Sequence, residues 1–293
     1  MKSSTKGSKS LDNPVWFITG CSTGFGHQIA RHVLELGYRV VITARDTEDI
    51  RGLAQYGDAL IIELDVTNRS QAEAAVKTAE DHFGGIDVLV NNAGIGYFAA
   101  VEESDEAEVR KMFEVNVFGL CRMIHIVLPG MRKRRKGFIV NLSSIAGLRS
   151  FPALGYYNST KFAVEGVSEA LWQEVEPLGI HVMLVEPSGF RTDWAGRSAN
   201  ETEHPIHDYA ETAHKNVAQL RAISGHQSGD PIRAAEAIVS AVESPNPPHR
   251  LLLGNDAYEG AIAKLDELRA EFTVWETVSR GADFHEASPM VKA

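Results

Sequence analysis

The stretch "VWFITGCSTGFGHQIARHVLELG", Val15 to Gly37, restricts what this chain can fold into more than any other segment. Val15 to Thr19 is a short apolar run of strand length. "HQIARHVLELG" then spaces its apolar residues as a helix does and closes on Gly37. Gly20, Gly24 and Gly26 crowd the turn between them. A strand that turns straight into a helix is a βα unit, and repeated βα units build parallel sheets because parallel strands need a crossover.

The unit does repeat. "RVVITAR" reads as a second buried strand, "ALIIELDV" as a third and "IDVLVNNAG" as a fourth, with the helical stretch "RSQAEAAVKTAEDHFG" between the last two. A long helix from about Glu106 to Arg132 follows, then strand "GFIVNLSS", a helix through "KFAVEGVSEALWQEV", strand "IHVMLVEP" and finally "HRLLLG". Strands this uniformly apolar suit a sheet covered on both faces. The expected fold is α/β: one doubly wound sheet of about seven parallel strands with helices on both faces and right-handed crossovers.

Residues 1–13 read as a flexible N-terminus, 14–256 as a single catalytic domain and 257–293 as a C-terminal helical extension. The polar segment 190–229 lies beyond the carboxyl end of a strand, where open α/β sheets bind ligands, and is expected to be an irregular substrate lid.

Composition narrows the function. Lys plus Arg total 29 against 39 for Asp plus Glu, and this charge of −10 argues against nucleic acid or an anionic membrane as partner. No stretch approaches the ~18 uncharged apolar residues of a membrane span. Cys21 and Cys121 are far apart, which fits a reducing, cytoplasmic setting. His204, His207, His214 and His226 have no ligand spacing, so no metal is expected. "RKRRK", Arg132 to Lys136, stands at a helix end where cations offset the macrodipole. Small-molecule chemistry is the remaining default.

The glycines of "TGCSTGFG" point to its kind. A dinucleotide pyrophosphate needs a tight turn, backbone free of Cβ atoms and a helix N-terminus aimed at the charge. Gly20, Gly24 and Gly26 supply the first two, in G-x-x-x-G-x-G spacing. With "NNAG" at Asn91 to Gly94, Asn116 in "NVFG" and "YNSTK" at Tyr157 to Lys161, the chain resembles the short-chain dehydrogenase/reductases from about Pro14 to Gly254. The resemblance implies a Rossmann-like fold, a nicotinamide coenzyme and interconversion of an alcohol and a ketone (EC 1.1.1.-).

Two tyrosines, Tyr156 and Tyr157, compete for the proton-transfer role. A phenol with its ordinary pKa of ~10 needs a neighbouring cation to act near neutral pH. Lys161 is four residues beyond Tyr157, on the same helix face, whereas Tyr156 stands roughly 140° around from it. Tyr157 is therefore the general acid/base, and Tyr156 either lines the pocket or packs. In the family the serine that polarises the substrate oxygen precedes the tyrosine by thirteen residues, which selects Ser144; strand alternation turns its neighbour Ser143 away. The resemblance makes Asn116 the fourth member of a tetrad with Ser144, Tyr157 and Lys161, holding a water that links the lysine to solvent.

For the coenzyme, the resemblance implies contacts from Gly20, Ser22, Thr23, Gly24, Phe25 and Gly26. Asp65 with Val66 would meet the adenine, and Asn92, Ala93 and Gly94 the adenosine ribose. Pro187, Gly189 and Thr192, with Tyr157 and Lys161, would surround the nicotinamide. Ser188 separates Pro187 from Gly189, where the family usually has Pro and Gly adjacent. At the end of the second strand an acidic residue would select NAD(H); Ala44 and Arg45 stand there instead and favour NADP(H), with Asp46 able to pair with Arg45 and Thr23 standing where many NADP-dependent relatives carry a second basic residue. Tyr156, Phe190 and Trp194 flank the expected cleft and suggest an apolar, aromatic or polycyclic substrate.

Two further functions share these motifs: a regulatory protein that senses NADP without turnover, and a dehydratase or epimerase. The intact tetrad favours the oxidoreductase. By analogy with relatives, a homodimer or homotetramer is expected through the helices carrying Asn116 and Tyr157.

Overall fold

The computed structural model describes residues 13–196 and 198–284. Most of the expected N-terminal arm, and the last residues of the C-terminal extension, lie outside these. The elements run β1 (Val15–Ile18), α1 (Gly24–Glu35), β2 (Arg39–Ala44), β3 (Ala59–Glu63), α2 (Arg69–Phe83), β4 (Val88–Asn91), β5 (Gly96–Phe98), α3 (Glu106–Phe113), α4 (Leu120–Arg134) and β6 (Gly137–Leu142). They continue with α5 (Gly155–Val175), β7 (Ile180–Pro187), β8 (Ala199–Glu201), α6 (Lys215–Ala222), α7 (Pro231–Glu243), β9 (Arg250–Leu253), α8 (Asn255–Val274) and α9 (Glu276–Arg280).

Seven strands form one parallel sheet in the order β3-β2-β1-β4-β6-β7-β9. The order reverses between β1 and β4, and the crevice at such a switch point is where doubly wound sheets take ligands. Alternation within the strands explains their unbroken apolar runs. Trp16, Ile18, Val40, Ile42 and Val140 face α1 and α7, whereas Val15, Phe17, Val41, Leu89 and Ile139 face α2, α4 and α5.

Local signals set the helix ends. Asn68 caps α2 by accepting from Gln71 N at 3.1 Å, and Gly84 ends it in the left-handed region. Asp230 caps α7 ahead of Pro231 at its first position. The expected single helix from Glu106 is a rod reaching Arg134, but a π-turn over Glu114–Gly119 interrupts its i→i+4 ladder at Asn116. By length and hydropathy this rod could cross a membrane. Its apolar side is occupied instead, with Leu120, Met123, Val127 and Met131 packed in the core.

Segment 190–229 is more ordered than its composition suggests. It contains short 3₁₀ and π-turns, α6, and β8, which pairs in parallel with β5 to make a second, two-stranded sheet. The extension α8 touches the domain through Ala257 and Ala261, packed near Ile145 and Phe151.

Candidate active site

The carboxyl ends of the strands open into a cavity of about 1020 Å³. At its floor the chain turns from β1 into α1 with Gly20 at φ +70° and Gly24 at φ +59°, conformations that L side chains resist. Thr19 Oγ1 accepts from the backbone N–H of Asn92 and Ala93 at 3.0 and 3.1 Å. The Asn92 side chain donates to the carbonyls of Thr19 and Gly20 at 2.9 and 2.8 Å. A Cβ on Gly26 would lie 2.4 Å from both Asn92 Nδ2 and the Gly20 carbonyl oxygen. Gly26 thus serves close packing within the protein rather than approach to a phosphate. Thr23, the N-cap of α1, makes no side-chain cap bond, so the first-turn N–H groups keep their capacity for an anion. Gly20, Ser22, Thr23, Gly24 and Phe25 all border the cavity. A cradle that side chains would fill, beside an uncapped helix N-terminus, fits a dinucleotide pyrophosphate.

Ala44, Arg45, Asp65, Val66, Asn92, Ala93 and Gly94 continue the wall. Asp65 Oδ1 accepts from Thr67 N at 2.9 Å and Thr67 Oγ1 at 2.7 Å, which fixes the carboxylate. Asp46 is engaged elsewhere, accepting from Glu48 N at 2.9 Å, and among the described residues no ion pair joins it to Arg45. Arg45 is exposed at the cavity edge. The Asn92 side-chain amide, expected at the ribose, donates instead to the glycine turn.

Tyr157 and Lys161 come from consecutive turns of α5, both buried. Lys161 Nζ donates to the Leu142 carbonyl at 2.7 Å and lies 5.7 Å from the centre of the Tyr157 ring. Burial lowers the lysine to about 8, with the charge of Glu165 acting in the opposite direction. Burial also pushes the Tyr157 phenol up, while the Ser144 hydroxyl pulls it down. The net effect keeps the proton on the phenol, the state a proton donor needs. Both Ser143 and Ser144 border the cavity, so strand alternation does not separate them as expected. Their hydroxyls do: Ser144 acts on Tyr157, and Ser143 lies beside Glu165.

Asn116 is buried and does not line the cavity. Its Oδ1 accepts from Ile95 N at 2.8 Å, and Nδ2 donates to Ile95 O at 2.9 Å and Thr160 Oγ1 at 3.2 Å. The side chain ties the π-turn to the segment after β4 and to α5, one residue from Lys161.

Pro187, Gly189 and Thr192 border the cavity together with the inserted Ser188, which donates its N–H to Leu253 O at 3.0 Å. Phe190 is buried at the cavity wall against Phe25, ring centres 5.1 Å apart. Trp194 rests on Tyr157 with centroids 4.8 Å apart and on Phe98 at 5.4 Å. Tyr156 is absent from the lining; it is half-buried and packs with the cluster of Tyr97, Phe98 and Met112. One residue along a helix turns a side chain by about 100°, enough to take it out of the cleft.

The sequence reading passes over Gly96, Leu220, Ile223 and Gln227, which complete the wall. It also passes over Glu103, which holds the 190–229 segment down. Glu103 Oε1 accepts from Ile206 N at 2.5 Å and pairs with His214 Nε2 at 2.7 Å, and Glu103 O accepts from Thr202 Oγ1 at 2.9 Å. Burial would raise this carboxyl, but hydrogen bonds from Ile206, Ala100 and His214 hold it below its ordinary range.

A sequence profile described as short chain dehydrogenase matches residues 14–203. The chain belongs to the short-chain dehydrogenase family. Among family members, the oxidoreductase BOA17 of Botryotinia fuckeliana is 37% identical over 268 residues, spanning 90% of this chain and 97% of its own. The 3-ketodihydrosphingosine reductase of Bacteroides thetaiotaomicron is 38% identical, spanning 81% of this chain and 86% of its own. The crystal structure of a short-chain dehydrogenase from Streptomyces avermitilis superposes with a TM-score of 0.86 at 42% identity, over 92% of this chain and all (100%) of that one. Two more distant structures carry coenzyme: a family member from Burkholderia phymatum in complex with NAD (25% identity, TM-score 0.78, 92% of this chain and 97% of that one) and an alcohol dehydrogenase from Thermococcus sibiricus complexed with 5-hydroxy-NADP (27%, 0.68, 82% and 95%). The chain is thus an oxidoreductase of a family that uses nicotinamide coenzymes.

Proposed function

We propose that the protein interconverts an apolar ketone and the corresponding secondary alcohol, with NADP(H) preferred over NAD(H). The observation that carries this reading is the meeting of Ser144, Tyr157 and Lys161 with the glycine turn in one cavity. A nicotinamide coenzyme, when bound, supplies or takes the hydride. Ser144 hydrogen-bonds the substrate oxygen and fixes it near the phenol. Tyr157 gives that oxygen its proton in reduction and removes it in oxidation, and Lys161 supports the phenolate that forms. Asn116 acts at one remove, by holding Ile95 and Thr160.

Arg45, exposed at the cavity edge with no carboxylate paired to it among the described residues, supports NADP(H), because an unpaired guanidinium suits a 2′-phosphate. Phe151, Leu154, Trp194, Leu220 and Ile223 also line the cavity and support an apolar substrate, as does the likeness to a 3-ketodihydrosphingosine reductase. The segment 190–229, latched by Glu103, serves as the lid. Phe118, Phe162 and Val167 are exposed on the helical rod and α5, which supports pairing of two copies through those helices. The test of the reaction is Tyr157→Phe, which should abolish reduction of aryl and polycyclic ketones while NADPH still binds; retained turnover would sink the assignment.

A further inference from the structure

Behind Lys161, α5 carries Glu165 and Glu169 at the same four-residue spacing, so Tyr157, Lys161, Glu165 and Glu169 stack along one helix face. That face meets Glu186 of β7 and Arg250 of β9. Arg250 Nη1 bonds Glu165 and, at 2.8 Å, Glu186 Oε1, and its Nη2 reaches Glu169 Oε2 at 2.9 Å. Glu186 is fully buried and Glu165 nearly so, whereas the Glu169 side chain is 55% exposed. The cluster therefore runs from the site to solvent.

Two interior carboxylates beside one shared cation carry a net negative charge that a dry environment opposes, and one retained proton relieves it. Burial, then the neighbouring Glu165 charge, push Glu186 up to about 7, and burial raises Glu165 as well. Glu165 Oε1, Glu186 Oε2 and Ser143 Oγ are all buried without a well-formed hydrogen-bond partner. A proton on either carboxyl lets one of these acids donate to the other, beside the Ser143 hydroxyl, which favours the charged form of Glu165. The remaining groups around the cluster are Lys161 on α5, Ser143 at the end of β6, and His249, which stacks on Trp172 beneath Arg250. Lys161 and the carboxyl pair grip adjacent residues, since Lys161 bonds the Leu142 carbonyl and Glu165 lies against Ser143.

We propose that Glu165 and Glu186 hold one exchangeable proton between them and relay it between Lys161 and the solvent edge at Glu169. The role rests on the oxidoreductase reading above. In reduction the Tyr157 O–H bond breaks as its proton passes to the substrate oxygen. A Lys161 N–H bond then breaks to reprotonate the phenolate, the shared carboxyl returns a proton to the lysine through an intervening water because no ion pair joins Lys161 to either carboxyl among the described residues, and water at the Glu169 edge restores it. Oxidation runs the same transfers backwards. Arg250 stays charged throughout and holds the carboxyls in place.

Infrared titration of the full chain in heavy water tests the shared proton without any substrate. A band of a protonated carboxyl should fade through about pH 7 and be missing from both Glu186→Gln and Glu165→Gln; a wild-type spectrum without it overturns the proposal. Turnover of 4-nitroacetophenone with NADPH tests the relay. Either variant should lose roughly tenfold in kcat, keep its coenzyme affinity, and recover with imidazole buffer as an external proton carrier. Glu186→Asp should regain most of the rate. Variants with wild-type kcat and pH profile, or a loss that imidazole does not repair, overturn it. A wild-type chain inert toward the ketone would count instead against the oxidoreductase reading, with the infrared band still deciding whether the proton is shared.

Discussion

Asn92 holds Gly20: its amide donates to the Gly20 carbonyl at 2.8 Å, and Gly26 passes so near that a Cβ would lie 2.4 Å from the same nitrogen. The floor of the coenzyme cradle is thus a three-residue lock. Gly26→Ala forces either the amide or the carbonyl aside, and overpacking of this kind costs roughly 1–3 kcal/mol. We expect a lower melting temperature together with weaker coenzyme binding, measured by thermal denaturation and by quenching of intrinsic fluorescence. Wild-type values for both would show that the turn yields freely.

Glu186 makes stability depend on pH. Its folded pKa of about 7 lies above the ordinary 4.5, so the folded chain binds more protons than the unfolded one between those values. Stability is then fullest below about pH 4.5 and falls as pH rises through 7, by up to about 3 kcal/mol at roughly 1.4 kcal/mol per unit. Glu186→Gln should flatten that limb of the curve in denaturant titrations from pH 5 to 8, gaining on wild type at the alkaline end. Parallel curves would mean that Arg250 keeps Glu186 ionised throughout.

Among the described residues Arg45 has no ion-pair partner at the cavity edge, and its neighbour Asp46 is bonded to the backbone of Glu48. Arg45→Ala should weaken NADPH binding roughly 10- to 100-fold, the worth of one charge-assisted hydrogen bond or two, and leave NADH nearly unchanged. Isothermal titration with both coenzymes decides it, and equal losses would remove Arg45 from the 2′-phosphate.

Trp194 packs on the Tyr157 ring on one side and on Phe98 on the other. Trp194→Ala should raise KM for bulky apolar ketones about tenfold or more, as expected for loss of an aromatic wall, with a smaller change in kcat. Steady-state kinetics on a size series of ketones checks this; a uniform loss of kcat across the series would assign Trp194 to Tyr157 instead of the substrate.

Features governed by a fixed repeat were legible in the sequence. The parallel sheet of seven strands followed from βα alternation, and the pairing of Tyr157 with Lys161 followed from helical spacing, which no tertiary detail can alter. Features that depend on where a neighbour stands were not. Helical geometry separates Tyr156 from Tyr157 but does not say which direction is the cleft. Gly26 reads as part of a phosphate motif, yet its missing side chain makes room for Asn92, far along the chain. Glu186 reads as one polar residue in a strand; only the arrival of Glu165 and Arg250 from α5 and β9 gives it chemistry. The 190–229 segment looked irregular because β8 has no partner nearby in sequence. It pairs with β5, whose "GYF" is too short to stand out.

That pairing also belongs to a set of ties separate from those beneath it. The bonds joining Glu103 to Thr202 and Ile206 span 99 and 103 residues, among the longest closures in the molecule. The coenzyme floor is stitched by contacts of 72 to 74 residues within the early βα units. The substrate wall and the coenzyme floor are thus held by bonds that share no residue, so a chain can exchange its wall for another while the ties beneath stay as they are.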